Sequence, residues 1–306
     1  MVVLFSFEEN IRSLAPTAVA VGNFDGLHLG HLKILETLTQ KAIARNLNSL
    51  VITFSPHPEK VLGQEPIHMI QTLDQRLESL RLNGVAATLV IPFNNYFFRL
   101  TAEEFVRDIL VGRLQAQLIV VGSDFRFGRG RQGNSEYLTQ AGTELGFAVV
   151  VVPPVIMDGQ IVSSSLIRRL LEKGQVEIAS RYLGRPYEIE GSVIRGESRG
   201  QSLGIPTANI ITKNEILPAG VFITETQVKG SFFPSVTNIG NRPTFEASDS
   251  SVETHLLNFQ GDLYGLDIKI RFHRKIREEK KFSDPQGLRR QILQDIEKAR
   301  QFWAKA

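Results

Sequence analysis

Short unbroken apolar runs recur through the first half of the chain: 17–22 (TAVAVG), 49–54 (SLVITF), 86–93 (AATLVIPF), 117–122 (QLIVVG) and 147–152 (FAVVVV). A strand buried on both faces reads this way, because neither side of its pleat meets water. Between these runs the apolar period lengthens to that of a helix. Residues 30–45 have helical spacing, and so do 73–84 (LDQRLESLRLNG), which stop at a glycine. Thr101 with Glu104 forms a capping box for a helix reaching about residue 111, and Asn134 caps another that ends at Gly146. Two further helices are expected over 163–173 and 175–183. Strands alternating with helices define βαβ units, hence a parallel sheet covered on both faces.

The pattern changes at 183–191 (LGRPYEIEG), after which short strand-like runs are separated by Gly, Pro and Asn. In 266–272 (LDIKIRF), Leu266, Ile268, Ile270 and Phe272 alternate with Asp267, Lys269 and Arg271, the mark of a half-buried strand. This region predicts a small antiparallel β-barrel. A closing helix follows, with Asp284 as cap, Pro285 in its first turn, and Leu288, Ile292, Ile296, Ala299 and Trp303 along one face. The expected organisation is an α/β parallel-sheet, Rossmann-like domain over 1–184 and a β-barrel with a C-terminal helix over 185–306.

Composition narrows this only a little. The 306 residues suit two domains better than one. With 42% hydrophobic and 22% charged residues the chain has the balance of a globular protein. It has no cysteine, which excludes disulfides, thiolate zinc sites and cysteine nucleophiles and is compatible with a reducing cytosol. A net charge of +3 suits small anionic substrates and is too weak to argue for nucleic acid. The N-terminus lacks a basic n-region, and Pro153 and Pro154 interrupt the best apolar stretch well short of the roughly 20 residues of a membrane helix. A cytoplasmic location is expected.

Chemistry concentrates first in 21–35 (VGNFDGLHLGHLKIL), at the carboxyl end of the first long strand, where open α/β sheets bind ligands. Gly22 and Gly26 permit a tight turn and close approach to a ligand. The helix that follows would offer free N–H groups to an anion. His28 and His31, three apart, face one side if the helix begins near them, and could there donate to phosphoryl oxygens as charge builds. Residues 21–35 contain no G-x-G-x-x-G. A plain glycine turn with two surface histidines, or an H-x-x-H metal pair lacking an evident third ligand, remain alternatives for this stretch taken alone.

Residues 22–31 (GNFDGLHLGH) resemble the H-x-G-H signature of the nucleotidyltransferase superfamily, in the longer form G-x-F-D-G-x-H-x-G-H of bacterial bifunctional FAD synthetases (riboflavin kinase/FMN adenylyltransferase). Residues 53–58 (TFSPHP), 122–134 (GSDFRFGRGRQGN) and 163–169 (SSSLIRR) resemble the same N-terminal module. The resemblance implies a nucleotidyltransferase domain that moves AMP from ATP onto the phosphate of FMN, releasing pyrophosphate. It implies that His28, His31 and Arg168 act on the phosphates, and that Gly22, Phe24, Asp25, Gly30, His57, Asp124, Phe125, Phe127, Ser164 and Ser165 hold ATP or flavin. Arg168 beside a helix start suits ATP phosphates, and Phe125 and Phe127 offer flat apolar surface for an isoalloxazine ring. Asp124 could anchor a polar edge of the ligand.

Residues 200–210 (GQSLGIPTANI) resemble the G-R-x-L-G-x-P-T-A-N pattern of the riboflavin kinase module, as do 238–245 (NIGNRPTF), 252–259 (VETHLLNF) and 262–265 (DLYG). By this resemblance Thr207 and Asn209 hold Mg²⁺ with the nucleotide, and Gly196, Gly204, Pro206 and Arg242 line the ATP and flavin site. Glu253 is then the general base for the ribityl 5′-hydroxyl. Oxygen ligands of this kind suit Mg²⁺. Gly204, Pro206 and Asn209 would also be at home in a simple turn. The chain departs from the pattern at Gln201, where arginine is usual, at Ser165, where threonine is usual, and at Phe222, where tyrosine is common. Gln201 removes a charge near the kinase phosphates. A monofunctional FMN adenylyltransferase with a weakened kinase is therefore one alternative. A flavin-sensing RNA binder using the Arg/Gly loop and the basic 269–281 segment is another. The expectation is an enzyme that makes FMN and then FAD with ATP and Mg²⁺. It would act on small molecules, without nucleic-acid or membrane partners, as a monomer or weak oligomer.

Overall fold

Every residue of Thr17–Val21 and of Ala87–Ile91 is buried, and so is each of residues 49–54. That two-sided burial puts these runs in the middle of a parallel sheet. The computed structural model describes all residues except 8–10, 64–65, 197–203, 242–249, 283 and 306. Its strands β1 (Val2–Leu4), β2 (Thr17–Val21), β3 (Asn48–Phe54), β4 (Ala87–Ile91), β5 (Ala116–Gly122) and β6 (Ala148–Val152) lie in the order β1-β4-β3-β2-β5-β6. Every neighbouring pair is parallel. The chain steps outward from β2 through β3 to β4, then returns so that β5 pairs with the other side of β2. Strand order therefore reverses between β2 and β5, which is where such sheets open a ligand crevice at their carboxyl ends. A small hairpin of β7 (Ile156–Met157) and β8 (Gln160–Ile161) follows.

Alternate residues of one strand feed opposite cores. Val19 and Val21 join Leu50, Ile52, Leu89 and Phe105 on one face of the sheet. Ala18 and Ala20 join Val51, Val120, Leu35 and Leu38 on the other. The covering helices include α1 (Leu29–Ala44), α2 (Leu73–Leu82) and α3 (Ser135–Leu145). Two caps read from sequence are present. Thr101 Oγ1 accepts from the Glu104 N–H at 3.2 Å while Glu104 Oε2 accepts from the Thr101 N–H at 2.8 Å. Asn134 caps α3, which ends at Gly146 with φ +81°.

Backbone contacts gather Ser164–Ala306, together with Met69–Thr72, into a second compact unit; Met1–His68 and Leu73–Ser163 form the first. Helices α4 (Ser164–Glu172) and α5 (Val176–Leu183) thus belong by packing to the second unit, where α5 lies on β14 (Asp267–Arg277). In that unit β9 (Tyr187–Ile194), β10 (Ala208–Thr212), β11 (Gly220–Val228), β12 (Ser231–Asn241), β13 (Ser250–Leu256) and β14 close into an antiparallel barrel, in the order β10-β13-β12-β11-β14-β9. A chain of fully buried hydroxyls crosses its interior: Thr226 to Ser235, Ser235 to Thr224 and Thr224 to Thr237 at 2.8 Å, then Thr237 to Thr254 at 2.9 Å. Each oxygen has a partner, so the polar interior carries no unmet hydrogen-bonding cost.

The closing helix α6 (Pro285–Trp303) starts where Asp284 accepts from the Gly287 N–H at 2.7 Å. It packs Ile296 and Ala299 against Val221, Ile223 and Val236 of the barrel wall. Asp295, 1% exposed, receives both Nε and Nη2 of Arg277 at 2.9 Å and the Gln291 amide at 3.0 Å. Removing one partner leaves the other charge enclosed without its counter-ion. Asp295→Ala is therefore expected to destabilise the barrel unit by about 3 kcal/mol. The measurement is denaturant unfolding followed by the fluorescence of Trp303, the chain's single tryptophan. An unchanged midpoint would mean that apolar packing alone docks the helix.

Candidate active sites

The first site is built on the loop leaving β2. Between Gly22 and His28 the backbone takes positive φ at Phe24 (+51°), Gly26 (+84°) and Leu27 (+38°). Phe24 and Leu27 are pressed into the core beside Leu35 and Leu38. Close approach explains two of the glycines. A Cβ on Gly22 would lie 3.2 Å from the Phe24 ring, and one on Gly30 would lie 3.1 Å from His28 Cε1.

His28 is the N-cap of α1: its Nδ1 accepts from the His31 N–H at 3.3 Å. A nitrogen that accepts carries no proton, so a neutral His28 holds its proton on Nε2 and can donate from there. The His31 ring stacks on His28 with centroids 3.7 Å apart, and Phe24 lies 5.2 Å from His31. His57 repeats the device. It caps the short helix Pro58–Leu62, with Nδ1 accepting from the Glu59 N–H at 3.1 Å. Both capping histidines are 6% exposed. Asp124, on the loop leaving β5, folds back over Gly122, where an added Cβ would meet its Oδ1 at 2.9 Å and Ile34 of α1 at 3.6 Å. The strand-order reversal therefore brings Gly22, His28, Gly30 and His31 to the start of α1, with Asp124 beside that helix.

Other expected residues take supporting places. Phe24 and Asp25 are each 1% exposed, inside the loop rather than on it. Phe127 stacks on Phe125 at 5.3 Å but is itself core, against Phe105 and Tyr137. It exchanges two backbone hydrogen bonds with Gly133, at 3.1 and 2.9 Å, and so closes the Arg/Gly loop at its base. Phe125 is the half-buried member of the pair. Ser164, Ser165 and Arg168 open α4 in the second unit, with Arg168 buried in that helix.

Arg76 is a residue that the sequence reading missed. It is 3% exposed on α2, and its guanidinium donates to the Asn23 carbonyl at 2.7 Å and to the Phe54 carbonyl at 3.2 Å. Burial pulls its pKa below the usual arginine value, and the Asp25 charge opposes that pull. The signal was present: Leu73, Arg76, Leu77 and Leu80 share one helical stripe, with an arginine at an apolar phase.

The second site lies on the barrel wall. Ala208, Ile210, Val252 and Thr254 are buried, so their alternates Asn209, Glu253 and His255 share the opposite, half-buried face, with Thr207 at the start of β10. Asn209 and Glu253 are direct cross-strand partners, and Asn238 flanks Glu253 on its other side. A Cβ on Gly196 would fall on the Asn209 amide and push it from its place, so glycine leaves room for that side chain. His255 Nδ1 donates to the Pro206 carbonyl at 2.8 Å and pins the turn that leads to Thr207. Gly204 is exposed with φ +75°. Gln201 and Arg242 lie outside the described residues. Phe222 is fully buried, edge-on to Phe272 at 5.3 Å.

Among the described residues no group of three or more His, Asp or Glu side chains could hold a metal ion. Mg²⁺ needs no such cage, since it is commonly held by one or two protein oxygens with phosphates and water. The Thr207 hydroxyl and the Asn209 amide oxygen, beside Glu253, are hard donors that fit it.

A parallel sheet with a Gly/His loop at its strand-order reversal, joined to a closed barrel with a Thr/Asn/Glu face, is the architecture of a two-module flavin-nucleotide enzyme. Residues 10–166 match the family described as FAD synthetase, and residues 183–303 match riboflavin kinase. Curated bifunctional riboflavin kinase/FMN adenylyltransferases are similar over nearly their whole length. The Pseudomonas fluorescens protein is 38% identical over 92% of this chain and 91% of its own. The Escherichia coli K12 protein is 36% identical over 93% and 92%. The Bacillus subtilis protein is 35% identical over 95% and 93%. The chain belongs to the bifunctional riboflavin kinase/FMN adenylyltransferase family.

A Streptococcus pneumoniae crystal structure shares the fold over 98% of this chain and 99% of its own, with a TM-score of 0.88 and 27% identity. It is described as a macrolide-efflux protein, whereas both family matches and the more similar curated relatives carry flavin-enzyme names. Among the described residues no helix is long and apolar enough to cross a membrane.

Proposed function

We propose that this chain phosphorylates riboflavin to FMN at the barrel face and adenylates FMN to FAD at the sheet loop, using ATP for both steps. The observation that carries the reading is that both family modules occur in order in one chain, with His28 capping α1 after the Gly/His loop of the first and Asn209 paired with Glu253 in the second. The kinase step needs a base. Glu253, opposite Asn209, takes the ribityl 5′-hydroxyl proton as that oxygen attacks the γ-phosphorus and ADP leaves. Thr207 and Asn209 hold Mg²⁺, which supplies positive charge to the phosphates. Gly196, Gly204, Pro206 and Arg242 belong to the same ATP and flavin site.

The adenylyl step needs no covalent protein group. An FMN phosphate oxygen attacks the α-phosphorus of ATP, and the bond to pyrophosphate breaks. His28 donates from Nε2 as charge builds on the phosphoryl oxygens, and His31 orders that ring by stacking. Arg168, Ser164 and Ser165 clamp phosphate, while Phe125 and Asp124 hold the flavin. On this reading the two activities divide at 184/185. The substrates are small molecules in the cytoplasm, nucleic acid is not a partner, and the chain acts as a monomer or weak oligomer.

The test is label routing with purified protein and riboflavin. Label from γ-labelled ATP is expected in both FMN and FAD, and label from α-labelled ATP in FAD alone. Conversion of supplied FMN to FAD with no γ-label in any flavin would identify a monofunctional adenylyltransferase. Absence of label from both would overturn the assignment.

A further inference from the structure

The loop that carries His28 is built from a backbone that its side chains disfavour. Phe24 and Leu27 sit at positive φ without being glycine, a conformation that persists only where the surroundings over-determine it. The restraint converges on one atom, the Asn23 carbonyl oxygen. It accepts from Arg76 Nη1 at 2.7 Å and from Thr53 Oγ1 at 3.0 Å. Arg76 Nη1 also lies 3.3 Å from Thr53 Oγ1, and Nη2 reaches the Phe54 carbonyl at 3.2 Å. Phe54 ends β3 and leads directly into the turn that presents His57. One guanidinium fork therefore ties together the carboxyl ends of β2 and β3, each of which hands over to a loop with a capping histidine.

Arg76 is 3% exposed and Thr53 fully buried, so neither acts by exposing itself to a ligand. Asp25 of the same loop, 1% exposed, supplies the countercharge. A lysine ammonium is a point donor and cannot reproduce a planar fork spanning two carbonyls.

We infer that Arg76 is a positioning residue for adenylyl transfer: its fork clamps the strained 22–28 loop to the end of β3 and so sets where His28 and His57 stand. This rests on the proposed role of those histidines.

The experiment measures both activities of the full-length chain carrying Arg76→Lys. Displacing the loop by a fraction of its hydrogen-bond reach is expected to lower kcat for FAD formation by about a hundredfold. KM for ATP and FMN should stay within about threefold, because the loop is misplaced rather than removed. Riboflavin phosphorylation, whose residues lie in the other compact unit, should be unchanged, and thermal unfolding of the same samples reports whether the sheet unit is folded. Added guanidinium should partly restore FAD formation in Arg76→Ala. Thr53→Val, which removes one donor to Asn23 at constant shape, should lower kcat in the same direction by less, and it serves if both Arg76 variants fail to fold. An Arg76→Lys enzyme with unchanged kcat, or one that loses both activities in parallel, overturns the inference. So does a Thr53→Val enzyme with unchanged kcat. If His28→Asn leaves FAD formation intact, the reading of the loop itself fails; if His28→Asn is inactive while Arg76→Lys is normal, only the clamp does.

Discussion

Replacing His28 by asparagine lowers kcat for FAD formation by about 10²–10³-fold, the usual cost of losing one preorganised donor to developing charge, and leaves riboflavin phosphorylation unchanged. Asparagine is the informative choice because His28 does two things. Its Nδ1 caps α1 through the His31 N–H, and its Nε2 is the nitrogen left to donate. Asparagine is itself a good N-cap, so His28→Asn keeps the helix start while removing the distal N–H. His28→Ala removes both, and its further cost of about 1 kcal/mol should appear as a lower Tm. Steady-state FAD formation from supplied FMN, with thermal unfolding of the same samples, separates the two roles. Equal activity of His28→Asn and the parent protein would leave His28 as a cap and nothing more.

The second large effect belongs to the barrel. Glu253→Gln keeps the side chain's size and its place between Asn209 and Asn238 but removes its capacity to take a proton. Riboflavin phosphorylation should fall by about 10²–10⁴-fold, the range for losing a positioned base. FAD formation from supplied FMN should persist. An unchanged kinase rate would show that the hydroxyl loses its proton elsewhere and would return Glu253 to an ordinary strand residue.

Much of the fold was legible because its elements are locally consistent. Parallel strands buried on both faces announce themselves as apolar runs. The Thr101–Glu104 box, the Asn134 and Gly146 ends of α3, and the Asp284–Pro285 start of α6 are local hydrogen-bonding solutions that need no tertiary partner. Less legible was what depends on distant packing. Val2–Leu4 is too short to carry a period, and only its pairing with β4 makes it a strand. The amphipathic helices α4 and α5 advertise an apolar face without saying which core covers it; in sequence they continue the βα alternation, and in space they pack with the barrel unit.

The sites divide in the same way. The Gly/His loop and the Thr207–Asn209–Glu253 set were readable as motifs, but the tautomer that capping imposes on His28 and His57 needed coordinates. Phe127 read as a ligand platform because an aromatic in a loop looks available; its pairing with Gly133 draws it into the core. Arg76 drew no notice within the helical 73–84 segment, since hydropathy alone does not say that a charged group at an apolar phase has carbonyls waiting for it.

The central claim is that one chain carries two independent sites, each performing one step. Mixing the His28→Asn and Glu253→Gln proteins tests it most directly. With riboflavin and Mg·ATP, the first alone should stop at FMN and the second alone should make no flavin product. Together they should make FAD, because FMN released from one enters the intact sheet site of the other. A mixture that yields no FAD, or either variant converting riboflavin to FAD unaided at the parent rate, would contradict the account.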